Sequence, residues 1–180
     1  MLTVAFLGVA VLSEAWALQD DMDQPIKIEA DQLDVDDARG VSVYRGAVKF
    51  TQGTIELTAD DVTLNSTANR ELDKAIARGK PAKFKQQIDP SGGSVTGEAG
   101  RIEYHAKAEQ VVLEGNAHLW YCGDEFQGAR IEYYVRQDLV KASKAGTDAG
   151  GGRVQVILQP RKREDGTPAS SPCRKLNVAP

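Results

Sequence analysis

The chain has 180 residues, of which 41% are apolar and 27% charged, with 17 glycines, 2 cysteines and a formal net charge of −4. An acidic chain with no stripe of Lys and Arg interleaved with aromatics argues against electrostatic binding of nucleic acid. The sequence has no CxxC, no histidine cluster and no metal-ligand spacing, so no metal or cofactor is expected.

Residues 2–12 are an uncharged apolar run, and Ala15-Trp16-Ala17 places small residues where a signal peptidase reads. The pattern predicts a signal peptide over residues 1–17, cleaved after Ala17, and hence an exported protein. Nothing later in the chain approaches the roughly 20 apolar residues that a membrane-spanning helix needs.

Ile26-Lys27-Ile28-Glu29-Ala30-Asp31-Gln32-Leu33-Asp34-Val35 opens a pattern that returns without gaps from Ile55, from Val95 and from Asp124. In the second copy apolar residues alternate at Ile55, Leu57 and Ala59. The parity then slips by one and alternation resumes at Val62 and Leu64, as in two short strands joined by a bulge or corner. Self-similarity at such spacings means stacked units, none able to bury its apolar face without its neighbours.

Between the first two copies, residues 41–53 read as a long strand interrupted at Gly46. Residues 111–122 repeat it, with Gly115 in the corresponding place. Residues 65–70 form a loop, 72–78 and 82–85 two further strands, and Asp89-Pro90-Ser91-Gly92-Gly93 a turn. Gln137-Asp138 turns the chain into a strand over 139–145, residues 148–152 are a glycine-rich loop, and 153–158 the last strand. The total is about 14 to 16 strands with no sustained helical period, an all-β domain over residues 18–159. From residue 160 the composition turns to Pro, Ser, Lys, Arg and Gly, so residues 160–180 are expected to be a disordered tail.

Glu29, Asp31, Asp60, Asp61 and Glu98 recur at one position of the repeat, where paired carboxylates would suit acid–base chemistry. Copies three and four place Gly100 and Ala129 there, and corner Asp residues ordinarily hydrogen-bond nearby backbone. His105 and His118 lie in strands without a nucleophile context, so no enzyme is expected. Cys122 and Cys173 would be able to pair in an oxidising compartment, but a partner in the tail argues against a structural staple.

The run Asp23-Gln24-Pro25-Ile26-Lys27-Ile28-Glu29-Ala30-Asp31, followed by Thr51-Gln52-Gly53-Thr54-Ile55, Gly79-Lys80-Pro81-Ala82-Lys83-Phe84 and Val112-Leu113-Glu114-Gly115-Asn116-Ala117, resembles the OstA-like family of lipopolysaccharide-transport proteins. The resemblance covers residues 23–159. It implies an elongated, twisted, V-shaped antiparallel β-jellyroll in the periplasm, whose apolar groove shields the lipid A acyl chains of lipopolysaccharide. It also implies copies joined head to tail, bridging an inner-membrane-anchored LptC-like protein and an outer-membrane LptD-like protein. The physical need is plain, because each CH₂ exposed to water costs about 0.8 kcal/mol.

Strand parity together with this resemblance marks Ile26, Ile28, Ile55, Leu57, Phe84, Ile102, Tyr104, Leu119, Phe126 and Ile131 as candidate groove residues. Residues 154–158 carry no charge, and residues 26–28 are short of blocking charges on one face. Ile26 and Ile28 at one end, with Val154, Val156 and Leu158 at the other, are therefore the expected assembly edges. Two other readings remain open: an OstA-like segment of a related transport component, and a structural β-repeat scaffold without lipid binding.

Overall fold

The computed structural model describes residues 21–88, 93–144 and 153–159, together with the backbone of 177–178. The first sequence copy becomes β1 (Lys27–Glu29) and β2 (Gln32–Asp36), and the other three become β4 (Ile55–Ser66), β6 (Ser94–His105) and β8 (Asp124–Tyr134). Between them run β3 (Val41–Gln52), β5 (Leu72–Gln87) and β7 (Gln110–Tyr121), followed by β9 (Leu139–Ser143), β10 (Gln155–Ile157) and β11 (Asn177–Val178). All eleven join one sheet in the order β1-β3-β4-β5-β6-β7-β8-β9-β11, with β2 also on β3 and β10 also on β8. Pairing is antiparallel except between β9 and β11.

The slip in parity that the sequence shows is a break in register, and the breaks align. They fall between Arg45 and Val48 on β3, Thr58 and Asp61 on β4, Arg78 and Ala82 on β5, Glu98 and Arg101 on β6, and Glu114 and Ala117 on β7. A bulge bends a strand without ending its ladder, so the row of bulges creases the sheet into two leaves. One leaf holds β1, β10 and one half of each long strand; the other holds β2, β9, β11 and the remaining halves. This is why the described residues form eleven strands where 14 to 16 were expected: each supposed pair of short strands is one long strand, creased. Only the first copy breaks outright, where Asp31 N–H donates to the carbonyls of Arg45 and Gly46 at 3.0 and 3.2 Å.

Gly46 and Gly115, singled out by their recurrence, both sit on the crease at φ 81 and 80. Ala47 and Asn116, the next residues, are also left-handed, at φ 43 and 52. Two successive left-handed residues turn each strand most cheaply when the first has no Cβ.

Facing residues across the ladders share one side of the sheet, so rows can be followed from edge to edge. On the inner side of the first leaf runs Ile28–Phe50–Leu57–Phe84–Gly97–Leu119–Phe126–Val156. On the second leaf runs Leu33–Tyr44–Val62–Ala77–Ile102–Leu113–Ile131–Ala142. Beside the crease the buried residues of the first leaf are Val48, Ala59, Ala82, Ala99 and Ala117, all but the first alanines. The outer side carries Arg45–Asp61–Arg78–Arg101–Glu114–Arg130 as one cross-strand row, with ion pairs Arg78–Asp61 at 3.4 Å and Arg101–Glu114 at 3.8 Å.

The signal-peptide expectation, most of the turn at 89–93 and the loop at 148–152 fall outside the described residues. Of the tail, Asn177–Val178 are described and form β11 on β9, a strand where irregular chain was expected. Cys122 is disulfide-bonded, contrary to the expectation of no staple; Cys173, the other cysteine of the chain, is outside the described residues.

Gly97 is the gap in the first inner row. A Cβ there would overlap the Phe84 ring and lie 2.8 Å from Leu113 Cδ2 of the opposite leaf. Leu113, 0% exposed, has no room to yield, while Phe84, 7% exposed, borders the cavity between the leaves. Gly97→Ala should therefore destabilise the fold by about 1–3 kcal/mol through overpacking, read as a lower thermal midpoint in a circular-dichroism melt; an unchanged midpoint would show that the leaves part freely at this point.

Candidate functional site

A cavity of about 200 Å³ lies between the leaves. Phe50, Ile55, Leu57 and Phe84 line it from the first leaf, and Val62, Leu64, Ala75, Ala77, Ile102, Tyr104 and Val111 from the second. The walls are apolar because both inner rows are.

Polar groups reach the cavity at the tips of the leaves, and their needs are met locally. Asp21, 8% exposed, accepts hydrogen bonds from Thr54 N–H at 2.6 Å, Thr54 Oγ1 at 2.8 Å and Gln86 Nε2 at 2.9 Å. Gln52 Nε2 donates to the Gln24 carbonyl at 3.2 Å. At the other tip Glu109 accepts from Arg136 Nε at 2.9 Å, and that hydrogen bond holds its carboxyl below the ordinary glutamate value. Burial keeps the Tyr133 phenol neutral, its pKa pushed far above the ordinary 10. No cluster of three or more His, Cys, Asp or Glu suited to a metal ion occurs among the described residues.

Five of the residues marked by parity line the cavity: Ile55, Leu57, Phe84, Ile102 and Tyr104. Leu119, Phe126 and Ile131 face the same side but are packed shut, at 0%, 1% and 0% exposed. Ile28 packs against the core at the first edge, and Ile26 beside it is 45% exposed. Sequence reasoning missed Phe50, Val62, Leu64, Ala75, Ala77 and Val111. Val62 and Leu64 carried the signal, since they are where alternation resumes after the slip. Of the two histidines, His118 stacks on Trp120 with centroids 3.7 Å apart and contacts Glu125 at 2.6 Å, while His105 pairs with Glu103 at 3.1 Å.

The large apolar residues that stay exposed, among those described, gather at the two ends of the sheet. Ile26, Leu33 and Val35 stand at the β1/β2 end; Val154, Val156, Ile157 and Leu158 stand at β10, with Val156 43% exposed.

The fold and cavity thus define a creased β-jellyroll with an apolar groove between its leaves and apolar ends. The chain belongs to the family described as LptA/(LptD N-terminal domain) LPS transport protein, whose model matches residues 27–139. It is 34% identical over 154 residues to the lipopolysaccharide export system protein LptH of Pseudomonas aeruginosa, covering 84% of this chain and 88% of that one. It is also 34% identical over 165 residues to the lipopolysaccharide export system protein LptA of Escherichia coli K12, covering 91% and 86%. The crystal structure of LptH, described as the LptA-homologous periplasmic component of the lipopolysaccharide transport device of P. aeruginosa, matches with a TM-score of 0.72 at 33% identity. The match covers 79% of this chain and 100% of that one.

Two outcomes follow from this geometry. Leu57→Asp places an unpaired carboxylate against Phe50 and Phe84, a burial costing several kcal/mol unless the group takes up a proton. A folded Leu57→Asp protein should lose capture of an acyl-chain ligand, measured with a fluorescent fatty acid, and wild-type capture would show that the cavity is not the binding surface. The second outcome concerns acid. Because the Glu109 carboxyl is held below its ordinary 4.5 by Arg136, its stabilisation is complete above that value and is lost as pH falls through the folded value. Glu125, lowered by its hydrogen bonds from Gln127 and His118, behaves alike. Thermal midpoints should fall below about pH 4.5 in the wild type and less steeply in Glu109→Gln.

Proposed function

We propose that this chain is an exported, periplasmic lipopolysaccharide carrier that works as a bridge unit between the inner and outer membranes. The observation that carries the reading is the apolar cavity between the leaves, lined by rows that run on to exposed apolar residues at both ends of the sheet. Acyl chains transferred into such a groove avoid about 0.8 kcal/mol per CH₂ of exposure to water. The relatives' names supply the ligand class, lipopolysaccharide, and the periplasm.

Ile55, Leu57, Phe84, Ile102 and Tyr104, with Phe50, Val62 and Leu64, form the acyl-chain surface in this reading. The charged groups near it, Asp21 and Glu109, are each hydrogen-bonded to protein groups, which suits holding a ligand more than catalysis. Assembly would use the edges at Ile26 and Ile28 and at Val154, Val156 and Leu158. Two unlike edges meeting give a head-to-tail contact that does not close on itself. The same edges would join an inner-membrane-anchored LptC-like partner and an outer-membrane LptD-like partner, which continue the groove at either end.

Incubating the purified protein with lipopolysaccharide and measuring co-elution tests the carrier role directly. Stoichiometric capture is expected, and a protein that captures none is a scaffold. Light scattering between micromolar and millimolar concentration should show growing oligomers for the wild type and mostly monomers for Val156→Pro, with lipopolysaccharide capture kept. Equal polymerisation by both would place the contact elsewhere.

A further inference from the structure

The inner row of the first leaf passes from an open cavity into a sealed stretch and out again to an exposed strand. Leu119 and Phe126 are 0% and 1% exposed, whereas Val156, next in the row, is 43% exposed. The seal also reaches the tips of the leaves. There Tyr121 of β7 meets Tyr133 of β8 with ring centroids 5.7 Å apart, and both are 1% exposed. Tyr121 Oη donates to Asp138 Oδ1 at 3.1 Å, which ties the tip of the first leaf to the turn that follows β8 on the second. That turn is itself fixed: Asp138 sits left-handed at φ 46 and its N–H donates to the Val135 carbonyl at 3.4 Å. The next residue on the first leaf, Cys122, is anchored by its disulfide.

We infer that the Tyr121–Asp138 hydrogen bond is a latch across the mouth of the groove, holding its C-terminal end shut against passage of acyl chains from the cavity to the β10 edge. The inference rests on the carrier reading and adds a gate to it. When an acyl chain slides between the leaves, Leu119, Phe126 and Ile131 exchange one apolar neighbour for another, so little burial is lost. The hydrogen bond has no such replacement, because an acyl chain offers neither donor nor acceptor and would part the buried Tyr121 phenol from the half-buried Asp138 carboxylate. The latch is therefore the part of the seal that resists opening. Lipid would enter the cavity at the β1/β2 end, where Leu33 and Val35 are exposed, and leave only when the latch parts.

The test separates loading from onward transfer. Fluorescently labelled lipopolysaccharide is loaded onto the full chain, and its movement to immobilised unlabelled copies of the same chain is timed. Tyr121→Phe keeps the ring and Asp138→Gly suits the left-handed backbone at φ 46, so each variant removes this bond, and thermal midpoints report whether each is folded. Both should load as the wild type does and transfer about fivefold faster, the factor for one hydrogen bond of about 1 kcal/mol. The double variant should be no faster than either single one, since both remove the same bond. Folded variants that transfer at the wild-type rate would make the seal a permanent core plug and overturn the gate while leaving the carrier reading intact. A wild type that loads no lipopolysaccharide would overturn both.

Discussion

Everything in this molecule depends on the alignment of its bulges. A single antiparallel sheet of this breadth has one inner face and no second layer to cover it, and apolar rows on an open sheet would meet water. Breaking register on each long strand at the same line lets the sheet cover itself. The crease turns one layer into two, with buried alanines beside it and a cavity where Phe50, Leu57, Leu64 and Tyr104 line the two leaves. The cavity is thus a property of the crease and not of any one residue.

That division explains what was legible in the sequence. The repeat, the parity slip and the recurring glycines all express local backbone demands: alternation with period two, one extra residue at a bulge, and a positive φ at Gly46 and Gly115. Those demands are written position by position, so the all-β class and the inward face could be read directly. The number of strands could not, because a slip in parity looks the same whether the ladder ends or merely bends.

Occupancy of the inner face was illegible for a different reason. Leu57 lines the cavity and Leu119 is sealed in the core, yet both are leucines on one row of one leaf. The difference lies in what stands opposite, and that is set by residues far away in sequence, such as Gly97, whose missing side chain leaves the space that Phe84 and Leu113 fill. Val62, Leu64, Ala75 and Ala77 were missed on the same ground, since their place on the second leaf becomes a wall only once the crease is made. The disulfide at Cys122 was hidden by a tail whose composition reads as unstructured.

The charged row on the convex side governs how the sheet may meet other sheets. Arg45, Asp61, Arg78, Arg101, Glu114 and Arg130 stand side by side across the strands, partly in solvent, with Arg45 paired to Asp34 and the other five paired within the row. Laying a second sheet flat on that surface would strip water from all of them at once, with no new partners to offset it. Broad β-sheets ordinarily run the hazard of layering into amyloid-like stacks. Here the outer face itself opposes lamination, so contact between copies is left to the apolar ends of the sheet.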